Sequence, residues 1–317
     1  MFGAVGHAII TPLYYAISVV LIGWHKFWSL IFPSDSGAAW ALSIVGLTIV
    51  IRAALIPLFV KQIKSSRNMQ LLQPKVKELQ KKYGHDRERL AQETMALYKE
   101  SGTNPFASCL PILLQMPIFL ALFRLLDHAS KKGQGSGVLS DTQAQQLADA
   151  KLFGVNISAS FTKAEGNHTV QALALVLVLA MTVTTFLTQR QLMSKNMPAD
   201  ALSGPYAQQQ KMLLYVLPLV FAVGGVAFPI GVLLYWTTSN LWTMGQQFYV
   251  IRNNPSPGTP AFKAKQHRDQ AKAARHGHGD VVPAEDAATA EEAQRPAQRQ
   301  QPKRQTKSQR TKKRPQV

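Results

Sequence analysis

The apolar residues of this chain fall into long runs, unlike the alternation of strands or the one-sided stripes of surface helices. Five runs stand out: 41–60, 105–126, 170–188, 212–228 and 230–251. A helix of about 20 apolar residues crosses the hydrocarbon core of a bilayer. The pattern therefore predicts an all-α polytopic membrane protein with five transmembrane helices over residues 37–251. A sixth run, 8–23, is short and is followed by Trp24, Phe27 and Trp28. Its Thr11, Tyr14 or Tyr15, and Ser18 recur at helical spacing on one side. Residues 1–36 are thus expected to form an interfacial helix and a linker, with a sixth span as the alternative. A cleaved signal fits less well, because no basic segment precedes the run.

The polar segments divide the chain. Residues 61–102 keep helical spacing: Met69, Leu72, Val76, Leu79 and Tyr83 make one apolar stripe, Pro74 can start a helix and Gly84 can stop it. Asp86 can cap a second helix carrying Leu90, Thr94, Leu97 and Tyr98. This predicts a helical hairpin with an exposed apolar seam. Its 10 Lys or Arg against 5 acids mark it as cytoplasmic. Residues 127–168 then form an external loop, to which no site is assigned, and 189–211 form a second cytoplasmic loop.

Charge changes the picture at the C-terminus. The mean hydropathy of −0.03 averages apolar spans with a very polar tail, and the net charge of +18 is unevenly placed. Residues 252–317 hold 15 Lys or Arg against 6 acids, with too little apolar surface to fold alone, so a disordered basic cytoplasmic tail is expected. Its cluster of Lys303, Arg304, Lys307, Arg310, Lys312, Lys313 and Arg314 suits ribosomal RNA or an anionic lipid surface. The single cysteine, Cys109, excludes an intrachain disulfide framework and a cysteine-rich metal site. There is no nucleotide loop, no nucleophile with a base and no metal-ligand cluster, so nothing suggests an enzyme, a cofactor or a metal.

Candidate chemistry lies inside the spans. Arg52 interrupts the first run, where a charge costs about 2.5 to 3.5 kcal/mol on insertion scales and should face protein or water. No acidic residue occurs in the other runs except at their ends, so Arg52 is expected to lack a permanent intramembrane counter-ion. Snorkelling toward Lys61, about 13 Å away along a helix, is the plainer alternative. Gln115 and Ser108 share a face of the second span. The third ends with Thr182, Thr184, Thr185 and Thr188, and in the fifth Trp236, Ser239, Asn240, Thr243, Gln246 and Gln247 recur at three- and four-residue steps. Singly, such groups bind neighbouring helices; together with Arg52 they suggest one hydrated cavity.

Three stretches, IRAALIPLFVKQIKSSRNMQLLQPKVKELQKKYG, ERLAQETMALYKESGTNPFASCLPILLQMPIFLALF and FPIGVLLYWTTSNLWTMGQQ, resemble the signature blocks of the YidC family of membrane protein insertases. The resemblance covers roughly residues 29–252. It implies a five-span core with an outward-facing N-terminus, in the bacterial cell membrane, around a hydrophilic groove open to cytoplasm and bilayer and closed outside. It also implies that the groove arginine is Arg52, that an aromatic pair falls at Tyr235 and Trp236, and that Gln115 is a polar groove position. The chain departs from longer members in lacking a large external domain before the first core span, and from some shorter ones in lacking a lipobox cysteine.

The expected function is insertion of nascent membrane proteins: an acidic client tail is drawn to Arg52, and the hydrophobic segment then slides into lipid. The expected groove comprises Arg52, Gln115, Thr182, Thr185, Tyr235, Trp236, Ser239, Asn240 and Thr243. Expected partners are nascent membrane proteins, membrane lipid and the ribosome through the tail, with the Sec translocon a further candidate and no small-molecule substrate. The rival readings are a small-anion transporter using Arg52, against which no inverted repeat appears, and a membrane-anchored ribosome tether.

Overall fold

The computed structural model describes residues 2–103, 110–197 and 205–275. They are overwhelmingly helical, with one two-stranded antiparallel sheet. In chain order, α1 is Phe2–Trp28, α2 Gly37–Ala54, α3 Ile56–Leu71, α4 Gln73–Tyr83, α5 Arg87–Glu100 and α6 Leu110–Lys132. Then come α7 Asp141–Asp149, β1 Lys151–Leu152, β2 Val155–Asn156, α8 His168–Asn196, α9 Pro205–Gly225, α10 Ile230–Asn253 and α11 Pro260–Arg275. Among the described residues two helices, Gly37–Ala54 and His168–Asn196, are long and apolar enough to cross a membrane, and Leu214–Gly225 is a shorter apolar helix.

The helix α10 is the hub. It packs along α8 and α2 and touches α6, while α9 packs on α8, and α1 on α2 and α6. The main core gathers Leu21 of α1, Trp40, Ile44 and Leu47 of α2, Leu122 and Leu125 of α6, and Tyr235 of α10. Small hydroxyls inside these helices are satisfied locally: Ser43 and Thr48 donate to the carbonyls of Ala39 and Ile44, four residues back, at 2.6 and 2.7 Å.

The run 41–60 is not one helix. It breaks at Leu55, which caps α2 before α3 begins at Ile56. Pro57 accounts for the break, since it has no N–H to give and its ring would strike the carbonyl four residues back. The same helix α3 then carries the apolar Ile56 to Val60 segment directly into polar Lys61 to Leu71, so the hairpin proper is α4 against α5. There Pro74 stands in the first turn of α4, Gly84 ends it, and the Asp86 carboxylate accepts the Arg89 amide at 3.0 Å. Within the hairpin α5 buries no residue and α4 buries Gln73 and Val76.

Of residues 127–168, expected as an external loop, 127–132 continue α6 and 133–168 form an ordered cap. Ser140 and Gln143 make a reciprocal capping box at the start of α7, and Leu147, Val155 and Ile157 are fully buried. The cap grips the ends of two helices. Amides of Ile230 and Gly231 donate to the carbonyls of Ala159 and Ile157, both at 2.9 Å. A Cβ at Gly37 would strike the Lys151 carbonyl, and one at Gly231 would come within 2.7 Å of Ile157.

The tail also departs from expectation. Disorder was anticipated from residue 252, whereas α10 runs to Asn253 and α11 covers Pro260–Arg275. Thr259 caps α11 through the Phe262 amide at 3.3 Å, Pro260 suits the first turn, and Ala, Lys, Gln and Arg are strong helix formers. Before it, Asn196 at the end of α8 accepts the amide of Ser256 at 2.8 Å, with both residues buried. The chain divides into two units, Met1–Lys265 and Gln266–Val317.

Candidate functional site

The site forms where α2, α6 and α10 meet. Arg52, three residues before the Leu55 break, is 9% exposed. Its Nε donates to Ser239 Oγ at 2.8 Å, and its Nη2 donates to the same oxygen. The guanidinium carbon lies 5.7 Å from the centre of the Phe59 ring, within range of a cation–π attraction. Neither α2, α3, α8, α9 nor α10 contains an acidic residue, and the one in α6, Asp127, stands about 18 Å along the helix from Gln115. Among the described residues the arginine therefore rests on a neutral hydroxyl and an aromatic face. One oxygen answers two of its five N–H donors.

Tyr235, 2% exposed, stands one turn before Ser239 on α10, and its hydroxyl accepts a hydrogen bond from the Gln115 amide of α6. Arg52, Ser239, Tyr235 and Gln115 thus make one polar cluster across three helices. Trp236 turns away from it into an aromatic group, with ring centres 5.1 Å from Phe119, 4.8 Å from Phe221 and 5.9 Å from Phe228.

Of the remaining predicted positions, Asn240 and Thr185 meet between α8 and α10, while Thr182 and Thr243 bond within their own helices. Asn240 Nδ2 donates to Thr185 Oγ1 at 2.9 Å and to the Met181 carbonyl at 3.3 Å. Thr182, Thr185 and Thr243 donate to carbonyls four residues back, at 2.7, 2.8 and 2.9 Å. Neighbours on a helix point about 100° apart, so Ser239 toward α2 and Asn240 toward α8 cannot share one contact face. The structure therefore groups Arg52 with three of the other eight expected groove residues, Gln115, Tyr235 and Ser239, and places Asn240 and Thr185 in a helix-to-helix contact. Phe59 had not been singled out; its position just beyond Pro57 was the available signal. The basic cluster Lys303, Arg304, Lys307, Arg310, Lys312, Lys313 and Arg314, and likewise Ser108 and Cys109, lie outside the described residues.

Comparison with known proteins gives this arrangement a family. Residues 31–257 match the family model described as 60Kd inner membrane protein. A membrane protein insertase YidC of Streptomyces avermitilis is 46% identical over 269 residues, 82% of this chain and 62% of that protein. One from Tropheryma whipplei is 35% identical over 275 residues, 82% of this chain and 89% of that one. The Mycobacterium tuberculosis protein of the same name is 34% identical over 262 residues, 75% of this chain and 72% of its own length. Among solved structures, a crystal structure of an active YidC insertase with its first transmembrane domain resolved aligns with a TM-score of 0.48 at 23% identity, over 74% of this chain and 46% of that one. The match of 31–257 contains every residue of the Arg52 cluster, and the chain belongs to the inner-membrane family of YidC membrane protein insertases.

Proposed function

We propose that this protein inserts nascent membrane proteins into the bilayer, using the Arg52 cluster as the polar floor of a groove between α2, α6 and α10. The observation that carries the reading is the pairing of Arg52 with Ser239 instead of a carboxylate. A buried arginine already neutralised by an acid would have little attraction left for a client. One held by a hydroxyl keeps its charge available. The acidic tail of an incoming segment would be drawn to it with about 1 to 4 kcal/mol, depending on hydration. That biases a route without trapping the product, and the hydrophobic part of the client then passes into lipid.

In this reading α2 with the start of α3, α6, α8, α9 and α10 are the five spans. The α4–α5 hairpin and the tail face the cytoplasm, and the 133–168 cap faces outside. The helix α1 lies across the capped end. Support comes from its contacts: Ser18 Oγ accepts the Val138 amide at 2.9 Å, while His25 Nε2 meets the Ser34 carbonyl at 2.8 Å and its ring stacks on Trp40 at 3.8 Å. Two places about 10 Å apart along α1 thus both meet segments of that one end. The basic tail is assigned to the ribosome, and its clients and any translocon partner are those of an insertase.

The test is charge reversal on both sides, read as protease-protected client in reconstituted vesicles. Arg52→Lys should keep most insertion of clients with acidic tails, Arg52→Ala should lose much of it and Arg52→Glu most. Changing the client's tail acids to lysine should restore Arg52→Glu. No recovery would show that attraction to Arg52 does not drive the step.

A further inference from the structure

Arg52 and Phe59 stand on opposite sides of the break at Leu55, one on α2 and the other in the first turn of α3. Seven residues make almost two helical turns, so the two share a face. Helical side chains also lean toward the N-terminus, which carries the Phe59 ring back over Arg52. The ring is half-buried there, its centre 5.7 Å from the guanidinium carbon. The rest of α3 is loosely held. None of its residues whose burial is described is buried, and it packs only thinly on α2 and α4. At the break the Phe59 amide bonds to the Leu55 carbonyl at 3.1 Å, while Pro57 has no N–H to tie α3 back to α2. Leu55 is therefore a pivot, and the Phe59 ring sits one turn beyond it.

From this we infer that the Phe59 ring is a displaceable cover on Arg52, removed by an acidic client tail and not by a neutral one. The inference rests on the proposed role of Arg52 in drawing such tails. Relative strength is the argument. An aromatic face holds a cation through its quadrupole alone, whereas a carboxylate holds an arginine through full charge and two parallel hydrogen bonds. The ring yields to the acid. A tail amide or hydroxyl offers only a dipole and competes with the ring on near-equal terms, so the cover sets a threshold that a client must pass. Were the ring mere filling beside Arg52, an aliphatic side chain of similar volume would serve as well.

The experiment reconstitutes the full chain in vesicles and reads protease-protected product for two clients that differ only in the tail, paired aspartates in one and paired asparagines in the other. The wild-type chain should favour the aspartate client. Phe59→Leu, which keeps apolar volume without a ring, should raise insertion of the asparagine client about threefold, near the low end of what a cation–π contact supplies. The aspartate client, which already displaces the ring, should gain less, so the preference narrows; Phe59→Tyr should restore it. A photoreactive azidophenylalanine in place of Phe59 should crosslink to its own chain near Arg52 in the empty protein. It should lose most of that product once the aspartate client is stalled in place, and keep it with the asparagine client. An unchanged preference in Phe59→Leu, or self-crosslinking that persists beside the aspartate client, would overturn the cover; should Phe59→Leu fail to fold, the crosslink decides. Arg52→Ala keeps the two readings apart. If it abolishes the preference while Phe59→Leu leaves it intact, the cover alone fails; if Arg52→Ala itself leaves the preference intact, the attraction to Arg52 fails with it.

Discussion

The 133–168 cap and the α4–α5 hairpin are both polar insertions between apolar helices, and they are held in opposite ways. The cap has Leu147 and Ile157 at no measurable exposure, a sheet, a capping box and backbone hydrogen bonds to the start of α10. The hairpin packs mainly on itself: Arg89 of α5 sets its guanidinium carbon 5.1 Å from the centre of the Tyr83 ring of α4. Its Met95 is half exposed. Few buried apolar contacts mean a low free energy of local opening. One insertion clamps helix ends; the other has little buried surface to hold it against local opening.

The sharpest way to break this contrast is Gly37→Val, which drives a side chain into the Lys151 backbone. It should cost about 3 kcal/mol or more, the upper end for overpacking, and show as a large fall in melting temperature in detergent. Next comes Ile157→Ala, a buried deletion expected to cost about 2 to 4 kcal/mol, measured the same way. The smallest effect belongs to the hairpin. There Met95→Ala should change stability by less than about 0.5 kcal/mol, and amide exchange in α4 and α5 should outpace that of Leu147 and Ile157 by orders of magnitude. A hairpin that exchanges as slowly as the cap would remove the contrast.

The hairpin was legible because its signals are local: Pro74, Gly84 and Asp86 act within a turn of themselves. The cap was not, because its composition of small and polar residues hides a core made by contacts with distant helices. Even so, Ser140 three residues before Gln143 could have been read as a helix start. The apolar runs gave the positions of the long helices, and Arg52 stood out as a charge without an acid. What the runs concealed was Pro57, whose missing N–H ends α2 where hydropathy continues. The grouping of polar residues also needed the structure, since Ser239 and Asn240 share a stripe on paper and face different neighbours in three dimensions.

The contact between Asn196 and Ser256 has a mechanical meaning. It ties the segment after Asn253, in which Ser256, Thr259 and Ala261 are buried, to a second helix besides α10. With the Ser256 amide held by the buried end of α8, and Thr259 bonded to the Ser256 carbonyl at 2.6 Å, the chain is moored at two posts before it leaves the bundle. A tug on the residues that follow is shared between two helices, and the last turn of α10 is spared from unwinding first.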